Sequence, residues 1–221
     1  MKTFTELQEG VYDPNILKAF FMAGGPGSGK SFVVKRTTGG LGLKIVNSDD
    51  IFEKYLLDAI GSVDIRELDP EKRDRIRARA KRVTAARQAN YVEGRLGLII
   101  DGTGKDYDKI AKQATQLKQL GYDVHMIFVN TSLDTALAQN AKRARKLPDS
   151  MVTQLWNDVQ KNIGKFSQFF RRNFIVVDNN MAGEDVFEKV WKRCMLLIRK
   201  KVTNRIAKSW IAKELAKKNR N

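Results

Sequence analysis

Five continuous apolar runs of strand length mark the chain, over residues 19–23, 43–47, 96–101, 124–130 and 174–178. Runs that do not alternate with polar residues are the pattern of strands buried on both faces. Between them lie segments of helix length with recognisable ends. Asp69-Pro70 opens one that runs to about Gly94, Asp106 opens one that stops at Leu120-Gly121, and Pro148-Asp149-Ser150 opens another. Strands alternating with helices predict an α/β fold, with a five-stranded parallel sheet covered by helices on both sides. From about Glu184 the pattern changes. Trp191, Met195, Ile198, Val202, Ile206 and Trp210 recur every three or four residues, which predicts one long helix with a single apolar stripe. The chain thus divides into a polar lead-in over 1–18, a domain over 19–182 and a basic amphipathic C-terminal helix over 183–221. A length of 221 residues suits one domain with a real core.

Charge adds a polarity to this plan. The formal net charge is +16, and the last 33 residues hold 12 Lys/Arg against Glu214 alone, so +11 of it lies there. A second basic stretch runs through Lys72, Arg73, Arg75, Arg77, Arg79, Lys81 and Arg82. Such fields attract polyanions, nucleic acid above all. The C-terminal helix either packs on the domain with a solvated basic back, or grips nucleic acid or an anionic membrane surface. No run approaches the roughly 18 apolar residues of a membrane span, and the N-terminus lacks a secretory apolar core. One cysteine, Cys194, excludes an internal disulfide and suits a reducing, cytoplasmic setting. The lone histidine, His125, sits in an apolar run, so histidine catalysis and a Cys/His zinc site are not expected.

The chemistry begins directly after the first run, at Gly24-Gly25-Pro26-Gly27-Ser28-Gly29-Lys30-Ser31. This is G-x-x-x-x-G-K-[ST] with a strand before it and a helix after it, the context that pattern requires. Gly25, Gly27, Ser28 and Gly29 would let successive N–H groups converge on an anion, at the positive end of the next helix. Lys30 would reach the β- and γ-phosphates of a nucleoside triphosphate, ATP or GTP, and Ser31 would ligate the Mg²⁺ that bridges them.

Binding a triphosphate leaves its use open. Asp101 ends a run of the kind that supports Mg²⁺ in many P-loop proteins, but Gly102-Thr103-Gly104 follows it. Motor and AAA-type ATPases usually place there a Glu that polarises water, so a motor is not expected. A transferase needs a carboxylate to take the proton of an acceptor hydroxyl, and cations over the moving phosphoryl group. Asp49, Asp50 and Asp101 all follow strands, at the edge where α/β sheets bind ligands. Lys142-Arg143-Ala144-Arg145-Lys146 supplies cations with the bidentate geometry phosphate favours. Taken alone, Asp49 and Asp50 could equally cap the next helix, and Arg143 and Arg145 could be a solvated helix end.

Together these elements resemble the P-loop kinases grouped around zeta toxins and polynucleotide kinases. The loop is similar to that group's G-x-P-G-S-G-K-[ST], proline included. Asn47-Ser48-Asp49-Asp50 resembles the polynucleotide-kinase N-R-D-D, which implies Asp49 as the general base, with Ser48 in place of that family's Arg. Asp101-Gly102-Thr103-Gly104 resembles the zeta-toxin E-G-T-G, which implies that Asp101 and Thr103 touch the acceptor. The L-x-x-x-G-Y pattern within 116–129 is similar to zeta toxins as well. Asn140-Ala141-Lys142-Arg143 and the following Ala144-Arg145 resemble the lids of the two families, which implies Arg143 and Arg145 as transition-state clamps. The resemblance also implies a three-layer P-loop NTPase fold of kinase type with strand order 2-3-1-4-5.

Met1-Lys2-Thr3-Phe4-Thr5-Glu6-Leu7-Gln8-Glu9-Gly10 resembles the capsid-targeting leaders of large tailed bacteriophages, cleaved after L/I-x-E. That implies a phage protein, acting in the host cytoplasm or packaged in the virion. An ordinary lead-in helix is the other reading.

The expected function is an ATP-dependent kinase acting on a hydroxyl of a nucleic acid or nucleotide. A zeta-type kinase of a nucleotide sugar, such as UDP-N-acetylglucosamine, is the alternative within the class. From other classes come a packaged nucleic-acid-binding protein with a regulatory nucleotide site, and a plain ATPase.

Overall fold

A computed structural model describes residues 10–38, 41–65, 68–143, 146–180 and 184–218. Five strands, β1 (Lys18–Ala23), β2 (Lys44–Val46), β3 (Leu98–Asp101), β4 (Asp123–Asn130) and β5 (Phe174–Asp178), form one sheet. Every pairing is parallel and the order is β2-β3-β1-β4-β5, as expected. The helices are α1 (Lys30–Thr38), α2 (Ser48–Ile60), α3 (Pro70–Glu93), α4 (Tyr107–Gln119), α5 (Leu133–Ala141), α6 (Asp149–Gln160), α7 (Ile163–Phe170), α8 (Glu184–Arg199) and α9 (Arg205–Lys218). Helix starts follow the caps read from sequence. Asp69 accepts from the Lys72 N–H ahead of α3, and Asp106 accepts from the Lys109 N–H ahead of α4.

β1 is central and buried along its whole length. Its side chains alternate between two cores. Ala19, Phe21 and Ala23 join Ala114 and Leu117 of α4, Phe166 and Phe170 of α7, and Ala207 of α9. Phe20 and Met22 join Val33 and Val34 of α1 with Val190, Cys194 and Ile198 of α8. This is the three-layer arrangement of a sheet apolar on both faces. A third, smaller core of Ile51, Phe52, Leu56 and Ala80 holds α2 against α3.

The single C-terminal helix expected from the apolar stripe is two helices. α8 packs with Phe20 and Met22, whereas Val202, Ala207, Trp210 and Ile211 pack with Phe21, so the chain crosses from one face of the sheet to the other. Trp191 and Ile206, read as members of the stripe, are exposed. The break is chemical. Asn204 Oδ1 accepts from the Ile206 N–H at 2.9 Å, a helix start inside the periodic run. Lys18 Nζ donates to the Lys200 carbonyl at 2.9 Å, which fixes the end of α8 to the edge where β1 begins.

The end of the lead-in also belongs to the domain. Ile16 and Leu17 are buried in the same core as Phe21. Residues 1–9, which carry most of the leader-like stretch, lie outside the described residues. No helix among the described residues is long and apolar enough to cross a membrane.

His125 of β4 is buried, stacks on Phe20 with ring centroids 4.9 Å apart, and has no partner for either ring nitrogen among the described residues. Burial pulls its pKa down to about 4, against the attraction of Asp123 and with the help of Lys18, Arg193 and Lys200. The sign follows from the depressed value. The unfolded chain binds a proton near the ordinary pKa of about 6.5, and the folded chain resists it until about 4. Stability attached to this ring is therefore complete above pH 6.5 and lost as pH falls toward 4, by about 3 kcal/mol in all. A thermal-melt series from pH 7 to pH 4 is expected to fall more steeply for the wild type than for His125→Phe.

Candidate active site

The cleft is built where β1 stops. Its loop turns through Gly27 and Gly29, whose φ angles of 71° and 78° lie in the left-handed region. Space demands glycine there as well. A Cβ on Gly27 would fall 2.1 Å from the Ala136 carbonyl oxygen, and one on Gly29 would fall 2.4 Å from Asn179 Nδ2. The loop is tied on both flanks. Gly24 N–H donates to the Thr103 carbonyl at 3.1 Å on the β3 side, and Asn179 Nδ2 donates to the Ser28 carbonyl at 2.9 Å on the β5 side. Residues 25–32 with Gln139 and Arg143 line a cleft of about 190 Å³. All six residues expected to bind the nucleotide, Gly25, Gly27, Ser28, Gly29, Lys30 and Ser31, are in that wall.

Lys30 opens α1 and donates to the Gly24 carbonyl at 2.8 Å. Burial lowers its pKa, Asp101 and Asp49 oppose that shift, and Arg143 adds to it. Asp101 of β3, Asp49 of α2 and Arg143, just past α5, thus all act on one ammonium group. Asp101 closes β3 beside Met22. Its pKa is raised by burial, lowered by Lys30, and raised again by Asp49 and Asp50. Its Oδ1 is buried with no partner among the described residues. An acceptor oxygen left open in this way suits a ligand that brings its own donor. Thr103 lies at the exposed rim, with its carbonyl engaged by Gly24.

Asp49 and Asp50 sit in the first turn of α2, where negative charge is favoured, but neither is the N-cap. The cap is Asn47, whose side chain accepts from the Asp49 N–H at 2.8 Å and donates to Asp50 Oδ1 at 2.9 Å. This corrects the reading of Asp49 or Asp50 as the cap, and leaves Asp50 supporting the cap residue. Asp49 Oδ1 instead accepts from Arg77 Nη1 at 2.5 Å, and the Arg77 guanidinium lies 4.8 Å from the Phe52 ring centroid. The sequence placed Arg77 only within a basic stretch. The usable signal was the match of Ile51, Phe52 and Leu56 with Ile76, Ala80 and Val83, which pairs α2 with α3 and brings residue 77 to residue 49.

Arg143 follows α5 on a short loop. Asn140, buried at its root, donates to the Leu147 carbonyl at 2.8 Å and accepts from the Leu147 N–H at 3.1 Å, so both ends of that loop are fixed. Arg145 lies outside the described residues. Ser31 faces the cleft and is exposed, so its hydroxyl would be the protein's ligand to an Mg²⁺ that arrives with the nucleotide. No group of three or more His, Cys, Asp or Glu side chains that could hold a metal occurs among the described residues.

Sheet order, loop and cleft define a P-loop NTPase fold of kinase type. The AAA domain family model matches residues 20–164, and the chain belongs to that family. No curated protein matches it in sequence. Among solved structures it is similar to a putative kinase from Chloroflexus aurantiacus, at 17% identity over 80% of this chain and 97% of that one, with a TM-score of 0.51. It is similar also to a chain of the Pnkp1/Rnl/Hen1 RNA repair complex, at 20% identity, 69% of this chain, 47% of that chain and a TM-score of 0.52. A chain of the AvrRxo1-ORF1:-ORF2 complex with ATP is similar at 13% identity, 85% of this chain, 65% of that chain and a TM-score of 0.56. At these identities the likeness is one of fold.

Proposed function

We propose that the chain is an ATP-dependent kinase that transfers the γ-phosphoryl group to a hydroxyl of a nucleic acid or nucleotide. The observation that carries this is that Lys30 and Arg143 line one cleft with the phosphate loop, and that Asp101 and Asp49 act on the Lys30 charge. A motor ATPase usually carries its water-polarising Glu directly after the strand-ending Asp, where this chain has Gly102. The second carboxylate here is Asp49, on α2, and in this reading it takes the proton of the acceptor hydroxyl.

In this reading the loop amides, Lys30 and Ser31 hold the donor, and Mg²⁺, when bound, spreads the charge between β- and γ-phosphates. Asp101 and Thr103 position the acceptor. Its hydroxyl oxygen bonds to the γ-phosphorus as the bond to the β,γ-bridging oxygen breaks. The hydroxyl proton passes to Asp49, and the nucleoside diphosphate leaves. Arg143 supplies positive charge over the equatorial oxygens.

A polyanionic acceptor is favoured by α3. Lys72, Arg79, Lys81, Arg82 and Arg87 are exposed there and have no carboxylate partner among the described residues. Arg77 on the same helix touches Asp49, so this surface leads to the proposed base. The basic C-terminal segment is less well placed, because Lys200 is tied to Lys18 at the opposite edge of the sheet from the cleft.

Label transfer from γ-labelled ATP tests the reading across 5′-hydroxyl DNA and RNA, free nucleosides and UDP-N-acetylglucosamine. Labelled oligonucleotide or nucleotide is the expected product. Transfer only to the nucleotide sugar would select the zeta-type alternative. Salt-sensitive duplex binding with no transfer would select the nucleic-acid-binding reading. Phosphate release indifferent to every acceptor would leave a plain ATPase.

A further inference from the structure

The phosphate site fixes which way a bound donor must lie. In the order β2-β3-β1-β4-β5, Asp49 follows β2 and Asp101 ends β3, so both carboxylates lie on one side of the loop that follows β1. A γ-phosphate has to face them for transfer. The nucleoside, at the other end of the triphosphate, then leaves over the β4–β5 side. Phe32 stands on the cleft wall, on the first turn of α1, and is 49% exposed. Its ring meets that of Phe187 edge to face, with centroids 5.3 Å apart. Phe187 belongs to α8, the helix that follows β5, so the aromatic pair sits on the side where the nucleoside emerges.

Packing on Phe187 covers only part of the Phe32 ring. The two residues after it, Val33 and Val34, are buried and supply the contact of α1 with the core. Arg36, one turn further on, has its guanidinium 5.5 Å from the ring centroid, which adds a cation to the aromatic surface. Two asparagines nearby hold the surrounding loops. Asn179 donates to Ser28, while Asn180 donates to Asp178 Oδ1 and accepts from the Ser132 N–H. Both side chains are thus committed in part to holding the loops, and the group that Phe32 offers to a base is a ring face.

We propose that Phe32, supported by Phe187, is the stacking platform for the donor's nucleobase, and that it holds a purine by its face without selecting adenine over guanine. This rests on the donor-site reading given above. Stacking on an aromatic ring tolerates any base because each presents a π-face, and losing such a ring weakens binding by roughly tenfold.

The test is equilibrium binding of Mg²⁺-ATP, Mg²⁺-GTP and inorganic tripolyphosphate to the full chain, with Phe32→Ala and Phe32→Trp beside the wild type. ATP and GTP are expected to bind the wild type within about threefold of each other. Phe32→Ala is expected to weaken both roughly tenfold and leave tripolyphosphate unchanged, and Phe32→Trp is expected to restore both. An unchanged ATP affinity in Phe32→Ala would overturn the stacking role. So would an equal loss of tripolyphosphate binding, since the loop itself would then have been damaged. A wild type that binds tripolyphosphate no less tightly than ATP overturns the base subsite alone. A wild type that binds neither overturns the donor site on which it rests.

Discussion

Asp49→Asn is expected to slow phosphoryl transfer by roughly a hundredfold to ten-thousandfold while donor binding stays close to wild type. That range is what a positioned general base contributes. The substitution is nearly isosteric, and the asparagine oxygen can still accept from Arg77, so α2 and α3 keep their contact. The phosphate loop lies on a different element, and Lys30 keeps Asp101, which opposes its pKa shift more strongly than Asp49 does. What disappears is the ability to take a proton. Single-turnover transfer to the best acceptor, set against the equilibrium affinity for ATP, separates the two effects. If transfer survives at the wild-type rate, Asp49 is not the base, and the buried carboxyl of Asp101 becomes the candidate.

Arg77 gives that experiment a second use, because it is the part of the site that the sequence could not deliver. The loop of 24–31 is legible because its chemistry is local, with donors, lysine and hydroxyl in one stretch of chain. Asp49 and Asp101 are legible at one remove, since ligand sites gather at the carboxyl ends of parallel strands. Arg77 is neither. It sits 28 residues from its partner, on a helix whose many cations all look alike until α2 and α3 are packed together. Phe32 was hidden differently. A phenylalanine before two valines reads as core, and only the packed helix shows that the valines turn inward while the ring faces the cleft.

The sheet was read correctly because buried parallel strands are unbroken apolar runs, and because the helices between them carry strong starts at Asp69 and Asp106. The C-terminal segment misled for a physical reason. Periodicity reports which residues are apolar, not which face of the sheet they meet. Ile198 and Val202 keep the spacing of one helix, yet they pack in different cores on either side of the sheet. The polar break at Asn204 was the better guide.

Asp123→Ala is expected to destabilise the fold by about 3–5 kcal/mol, a large share of the roughly 5–15 kcal/mol that holds a typical domain together. Lys18 is the first residue of β1 and is 1% exposed. Its ammonium group bonds Asp123 Oδ2 at 2.6 Å and the Lys200 carbonyl at 2.9 Å. Removing Asp123 leaves a buried cation with one neutral acceptor. Lys18→Met is expected to cost less, because Asp123, with its side chain 26% exposed, can turn to water once the lysine is gone. The double variant should recover part of the loss from Asp123→Ala, since two missing charges are cheaper than one stranded charge. Urea unfolding of the three variants, with the slope checked for constancy, measures these differences. The order of the two single losses decides what the cluster does. If Lys18→Met is the more damaging, the bond to Lys200 outweighs the ion pair, and Lys18 acts chiefly as the tie that stops α8 and sends the chain across to α9.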